Sequence, residues 1–196
     1  MHRAIGITQK SAWFLDHRIR LALTIGTFNK LCGQVEAGET FIGGKARNMH
    51  KAERAKKVTG AGGKDETALL GVMERGGKVV TKVIDNGKEN SSEEVSEHVL
   101  VGSALFTDAL KSYEGLNEFQ HEVIDHALAY LEGEVHTNSL DNFWSLLKRG
   151  LNGAYVRVEP YHLFRCLDEH GYRFNNRHFT DGERFDVAVR RIVGKR

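Results

Sequence analysis

Between Thr8 and Leu23 apolar residues return with a helical period, so that Ala12, Leu15, Ile19 and Leu23 share one face. Thr8 is the expected N-cap, and Gln9, Lys10, Ser11, Arg18 and Arg20 decorate the rest of this helix. Just before it, Ile5-Gly6-Ile7-Thr8 has the composition of the turn in a helix-turn-helix unit, which needs a further helix upstream. The chain starts almost at that turn, so a truncated unit is expected. An ordinary surface helix is the competing reading.

The period then shortens. Gln34 to Gly43 is rich in β-branched residues and runs into Gly43-Gly44, which predicts a strand. Ala68–Glu74 and Lys78–Ile84 predict two more, joined by a hairpin turn at Arg75-Gly76-Gly77. Ala104–Thr107 predicts a short buried strand ending at Asp108, and Gln120–Ile124 another. Helices are predicted from Ser91 or Ser92 to Leu100, with Glu93 and Glu94 in the first turn, and over Leu110–Leu116. Two more run over Asn138–Arg149 and from Pro160 to about Phe174, with Pro160 suited to a first turn. Gly44 to Lys64 is polar and basic, ends in Gly60-Ala61-Gly62-Gly63, and predicts a long loop or mobile arm. The order is mixed α/β, with an antiparallel start and later crossovers. It is compatible with a ribonuclease H-like mixed sheet flanked by helices, although periodicity alone does not single that fold out.

Composition narrows the class. In 196 residues, 40% are hydrophobic and 28% charged, as in a soluble globular chain and unlike a disordered one. No apolar run approaches the roughly 20 residues of a membrane span. The first residues, Met1 to Gly6, lack the apolar stretch of a secretory signal. Cys32 and Cys166 are too few for a disulfide framework or a four-cysteine zinc site, so a reducing cytoplasm is expected. Net charge is +2, but its distribution is uneven: residues 1–66 carry 12 Lys/Arg against 6 Asp/Glu, and the remainder 16 against 20. The basic front suits a polyanion and the acidic remainder suits cations, with chance clustering on a solvated face as the plain alternative.

Two carboxylates stand where chemistry is plausible. Asp108 follows a buried strand, at the carboxyl end where α/β sheets place their sites, or it caps the helix predicted after it. Asp141 and Lys148 are seven residues apart, two turns along one helix face, so one can ligate a cation while the other holds a phosphate. Phe143, Trp144, Leu146 and Leu147 would bury the other side, and an amphipathic helix with an aromatic core stripe is the alternative.

These segments together carry a resemblance. His136-Thr137-Asn138-Ser139-Leu140-Asp141-Asn142-Phe143-Trp144-Ser145-Leu146-Leu147-Lys148-Arg149-Gly150 resembles the C-terminal signature of a bacterial insertion-sequence transposase family, the fifteen-ninety-five family with its ISXO-type transposase domain. Val35 to Gly44 resembles its first-strand motif V-E-V-D-E-T-Y-I-G-G; Phe106-Thr107-Asp108 with Tyr113 resembles its Y-T-D motif; Gly6 to Phe14 resembles its segment G-V-T-Q-K-T-A-W-F. The four segments keep the family's order and span almost the whole chain.

The resemblance implies a D-D-E/N-type catalytic domain of ribonuclease H-like fold over residues 31–180, a partial helix-turn-helix DNA-binding segment over 1–30, and a basic tail over 181–196. It implies Mg²⁺ or Mn²⁺, two ions roughly 3.5–4 Å apart, which activate a water or a 3′-hydroxyl. It also implies end cleavage and strand transfer on double-stranded DNA, a homo-oligomer on paired ends, no membrane, and a place in the bacterial cytoplasm with the nucleoid. Asp108, Asp141 and Lys148 occupy catalytic positions, the two aspartates as metal ligands. DNA contacts are expected at Gln9, Lys10, Ser11, Arg18, Lys45, Arg47, Lys148 and Arg149.

The chain departs from the pattern where the chemistry is densest. The motif's first aspartate falls on Gly38, which offers no side-chain ligand. Glu36 is the substitute on the same strand face, about 6–7 Å away along the strand, while Glu39 points to the other face. The third acidic position is Asp141, shorter than the usual Glu. The zinc ribbon usual ahead of the catalytic domain has no Cys-x-x-Cys pair here, and Asp16 stands at a position expected to be apolar. His121, His126 and His136 lie near the catalytic segment and are not assigned as ligands. Three readings follow: an active transposase, a non-catalytic DNA-binding remnant or repressor, and a decayed product without function.

Overall fold

The computed structural model describes residues 2–24, 30–43, 66–84, 91–108, 113, 116–124, 137–155 and 158–192. In chain order these form α1 (His2–Ile5), α2 (Gln9–Leu23), β1 (Gln34–Gly43), β2 (Glu66–Glu74), β3 (Val79–Ile84), α3 (Ser91–His98), β4 (Ala104–Asp108), β5 (Gln120–Ile124), α4 (Asn138–Ala154), α5 (Pro160–Asn175) and α6 (Asp181–Ile192). The basic segment Gly44–Lys64 lies outside the described residues, as does most of the predicted helix Leu110–Leu116.

The sheet has five strands in the order β3-β2-β1-β4-β5. The β3-β2-β1 side is antiparallel, and β1, β4 and β5 run parallel. Strand β2 is buried on both faces, which is why its sequence is a continuous apolar run instead of an alternation. Ala68, Leu70 and Val72 join Val35, Ala37, Val95 and Leu105 in the core beneath α3. Leu69 and Met73 join Leu140, Phe143, Trp144, Leu147 and Leu163 in the core beneath α4 and α5. Helices therefore cover both faces of a mixed sheet, the expected α/β class.

Helix α4 lies close to the strands because β2 has a glycine under it. A Cβ on Gly71 would stand 2.5 Å from Trp144 Cζ2 and 2.9 Å from Leu140 Cδ1. The apolar stripe of α4 continues through Leu151, so the helix runs past Arg149, where the sequence suggested its end, to Ala154. Gly150 does not stop it, since the imidazole of His170 on α5 fills the space a side chain would need.

At the front, Gly6 adopts φ +69° between the single turn of α1 and α2, a left-handed conformation suited to glycine. The Thr8 hydroxyl accepts the Ser11 N–H at 3.1 Å, the predicted N-cap. Helix α2 docks on α5 through polar pairs. The nearly buried Arg20 donates to Glu169 at 3.0 Å and to the Tyr155 hydroxyl, and pairs with Asp16 at 3.3 Å. Asp16, unexpected at an apolar position, is thus a partner of a buried cation. At the other end of the chain, residues 181–192 form a helix where the sequence suggested only a basic tail.

Gly71→Ala is expected to force Trp144 and Leu140 outward and to lower stability by about 1–3 kcal/mol, the range for overpacking a filled core. Chemical denaturation with matched m-values checks this; an unchanged midpoint would show that α4 can lift at no cost.

Candidate active site

Strands β1 and β4 run side by side in parallel, with Glu36 opposite Phe106 and Ala37 opposite Thr107. One step further along this register sets Gly38 beside Asp108, the last residue of β4. The first turn of α4 crosses directly above: Leu140 Cδ2 would lie 3.3 Å from a Cβ on Gly38. Asp141, the next residue, is exposed in that turn, where the unpaired N–H groups of a helix start favour an anion. It accepts the Thr137 hydroxyl at 3.3 Å, and its own N–H closes onto the Thr137 carbonyl at 3.0 Å. The strand register and the first turn of α4 therefore bring Gly38, Asp108 and Asp141 to one junction, made of the middle of β1, the end of β4 and the start of α4. Lys148 and Arg149 are exposed two turns further along α4.

Glu36 is placed differently from a metal ligand waiting for an ion. Its side chain has no exposure, one oxygen accepts Arg75 Nε at 2.8 Å, and the other accepts the backbone N–H of Leu140 at 2.9 Å. The second bond satisfies one of the amides left open at the start of α4, so a carboxylate on β1 caps that helix from below. Arg75 reaches in from the β2–β3 turn and lies over the Phe106 ring at 4.2 Å. Its own N–H donates to the Gln34 carbonyl at 2.9 Å, which anchors the turn to the start of β1. Sequence reasoning treated Arg75 as a turn residue only. The contact pairs residues 39 positions apart, and no local pattern announces it.

The remaining predicted residues are scattered. Gln9, Lys10, Ser11 and Arg18 are exposed along α2. Lys45, Arg47, His126 and His136 lie outside the described residues. His121 Nε2 is 2.8 Å from the hydroxyl of Thr107, and burial lowers its pKa from 6.5. Glu39 accepts Ser91 Oγ at 2.6 Å on the α3 side, the opposite face, as strand alternation requires.

A cavity of about 630 Å³ opens beside the first turn of α4, bounded also by the β2–β3 turn and the C-terminal half of α5. Asn138, Asn142, Phe143, His170, Arg173 and Phe174 line it. Arg177 closes its far wall, stacking on Phe174 at 4.4 Å and donating to the carbonyls of Gly76 and Gly77 at 3.0 Å. This cavity adjoins the aspartate junction through Asn138 and Ser139 but contains neither aspartate.

Measured against a two-ion centre, the donor set is incomplete among the described residues. Asp108 and Asp141 stand at the junction, Gly38 adds no donor, and both oxygens of Glu36 already accept protein hydrogen bonds. Elsewhere, Glu94, Glu97 and His98 approach one another on α3, beneath the other face of the sheet, but Glu94 is already paired with Lys82.

A mixed five-stranded sheet with an aspartate closing the strand beside β1 and another opening the covering helix defines an α/β domain of the ribonuclease H-like class. Residues 30–175 match the ISXO2-like transposase domain, and the chain belongs to that family. No curated protein and no solved structure matches it. The family is one of DNA transposases, which generally use divalent metal ions. Among the described residues no helix is long and apolar enough to cross a membrane.

Arg75→Met removes the guanidinium from the buried Glu36 carboxylate, and is expected to cost about 3 kcal/mol, as for other broken buried ion pairs. Equilibrium unfolding tests it; a cost of a few tenths would mean that water replaces the guanidinium. A second expectation concerns pH. Burial lowers the pKa of His170 below its ordinary 6.5, so the unfolded chain takes up the proton first as pH falls. Stability should therefore decline as pH drops below about 6.5, until the folded-state pKa is also passed. His170→Asn should flatten part of that decline in urea titrations between pH 7 and 5.

Proposed function

We propose that this chain is an insertion-sequence transposase whose end cleavage and strand transfer are impaired at Gly38. The observation that carries the reading is the junction itself. The family's aspartates at 108 and 141 are retained beside a strand position that has no side chain and is roofed by a Leu140 methyl. On this reading Asp108 and Asp141 are the surviving ligands for Mg²⁺ or Mn²⁺, and Lys148 and Arg149 hold the DNA strand that crosses α4. Glu36 positions the start of α4 and is not a substitute ligand. With one donor missing, no metal-dependent step is assigned to the chain as it stands.

DNA binding is the activity that persists. Gln9, Lys10, Ser11 and Arg18 on α2, with Lys45 and Arg47 beyond β1, supply contacts to the phosphates of double-stranded DNA. The place of work is the bacterial cytoplasm at the nucleoid, with two or more copies joined on paired ends. A non-catalytic remnant, or a repressor that occupies the ends of related elements, is the second reading. Gly38 favours it directly.

The deciding experiment is Mn²⁺-dependent plasmid nicking by the given chain, Gly38→Asp and Asp108→Ala, run side by side. A Cβ at position 38 requires Leu140 Cδ2 to retreat only a few tenths of an ångström, so the substituted chain should fold. Gly38→Asp is expected to nick at least tenfold faster than the given chain, which should match Asp108→Ala. Nicking by the given chain well above the Asp108→Ala background would overturn the impairment, and silence from Gly38→Asp would show that Gly38 is not the limiting defect. DNA affinity should fall steeply with added salt as phosphate contacts release counterions. Salt-independent affinity would remove the proposed basic contacts.

A further inference from the structure

Helix α6 presents two distinct faces. Arg184, Val187, Ala188 and Arg191 turn inward and are half-buried; the Tyr172 hydroxyl donates to the Arg184 carbonyl, and Arg191 lies over the Tyr172 ring at 5.4 Å. The outward face carries Phe185, Val189 and Ile192, which are 67%, 43% and 47% exposed. Their spacing, four residues and then three, is that of a seam between paired helices. No residue of α6 is buried, so this stripe has no cover among the described residues.

The charges beside the stripe select its occupant. Asp186 and Arg190 lie one turn apart on the same edge of the stripe, and neither makes an ion pair among the described residues. The helix is acidic in its first turn, with Asp181 and Glu183, and basic in its last, with Arg190 and Arg191. A second α6 laid antiparallel across a two-fold axis near Ala188 and Val189 brings Phe185 against Ile192 of the partner subunit. It also brings Asp186 against Arg190 of the partner subunit, and the reverse. Antiparallel pairing joins like edges, so both ion pairs form on the same side as the unpaired charges. A parallel copy would set like charges level with each other.

We infer that the exposed face of α6 is a self-complementary contact through which two copies of this chain pair about a two-fold axis. Such an interface is isologous, with one patch serving both partners. Three apolar side chains from each copy make a patch smaller than the roughly 800 Å² per partner of a stable complex. The dimer is therefore weak and concentration-dependent. It gives a surface to the self-association proposed above but does not depend on DNA chemistry, so the test uses the full chain without DNA and its failure leaves the nicking result untouched.

Sedimentation equilibrium over a concentration series is expected to show the mass rising from 22.0 kDa toward twice that value. Phe185→Asp should hold the mass at the monomer value with unchanged helix content by circular dichroism, because the side chain is exposed. Asp186→Arg should weaken association at least several-fold, and Asp186→Arg combined with Arg190→Asp should restore it. A monomer at every concentration, a dimer that survives Phe185→Asp, or a double reversal that stays weak each overturns the inference. An adventitious charge effect cannot reproduce the rescue, and a folding defect would register in the dichroism.

Discussion

A carboxylate with no access to water ties together the three pieces on which the rest of the molecule depends. Glu36 sits in the middle of the sheet, takes one hydrogen bond from a guanidinium carried by the β2–β3 turn, and takes another from the first turn of α4. Burying such a charge is costly unless both oxygens find donors, and here both do. The bond to the Leu140 amide fixes where α4 begins, and with it where Asp141 stands relative to β1 and the end of β4. The bond to Arg75 fixes how the hairpin turn folds back along β1. Packing then follows from these two constraints: Gly71 lets Trp144 descend onto β2, and the stripe from Leu140 to Leu151 closes the core.

The proposed site inherits its geometry from that arrangement and differs from the family motif at one position, Gly38. Gly38 lies in the middle of β1, beside the end of β4 and beneath the acidic first turn of α4, with cationic side chains further along that helix. The bare strand position does not weaken the fold, because the frame is held by Glu36 and not by the residue two places along. A frame that does not rely on its ligands for support can lose one of them and remain folded. On the proposed reading, this separation lets the chain keep the family's architecture with no side chain at position 38.

Much of the fold was legible because the signals were local. The bounds of β1 followed from its β-branched residues and the glycine pair behind it, and α2 and α5 from Thr8 and Pro160 at their starts. Other features were not, for physical reasons that differ. The end of α4 was obscured because Gly150 resembles a stop, when in fact it makes room for His170. Helix α6 was hidden by its charges, which gave the impression of a tail and masked the spacing of Phe185, Val189 and Ile192. The engagement of Glu36 could not be read at all, since its partner is brought near only by strand pairing. Asp16 looked like an error in an apolar stripe until the buried Arg20 supplied its reason.

Asn175, at the end of α5, carries a consequence for the outer margin of the sheet. Its side-chain amide accepts the Val79 N–H at 2.8 Å and donates to the Val79 carbonyl at 2.9 Å. A single side chain thus imitates the backbone of a neighbouring strand at the first residue of β3, which is an edge strand. Edge strands invite addition of another chain, with aggregation as the usual result. Here the outermost backbone groups at that end are already occupied, and a guest strand would have to displace α5 to gain its first two bonds. The margin is closed from within, by the same helix that shapes the core.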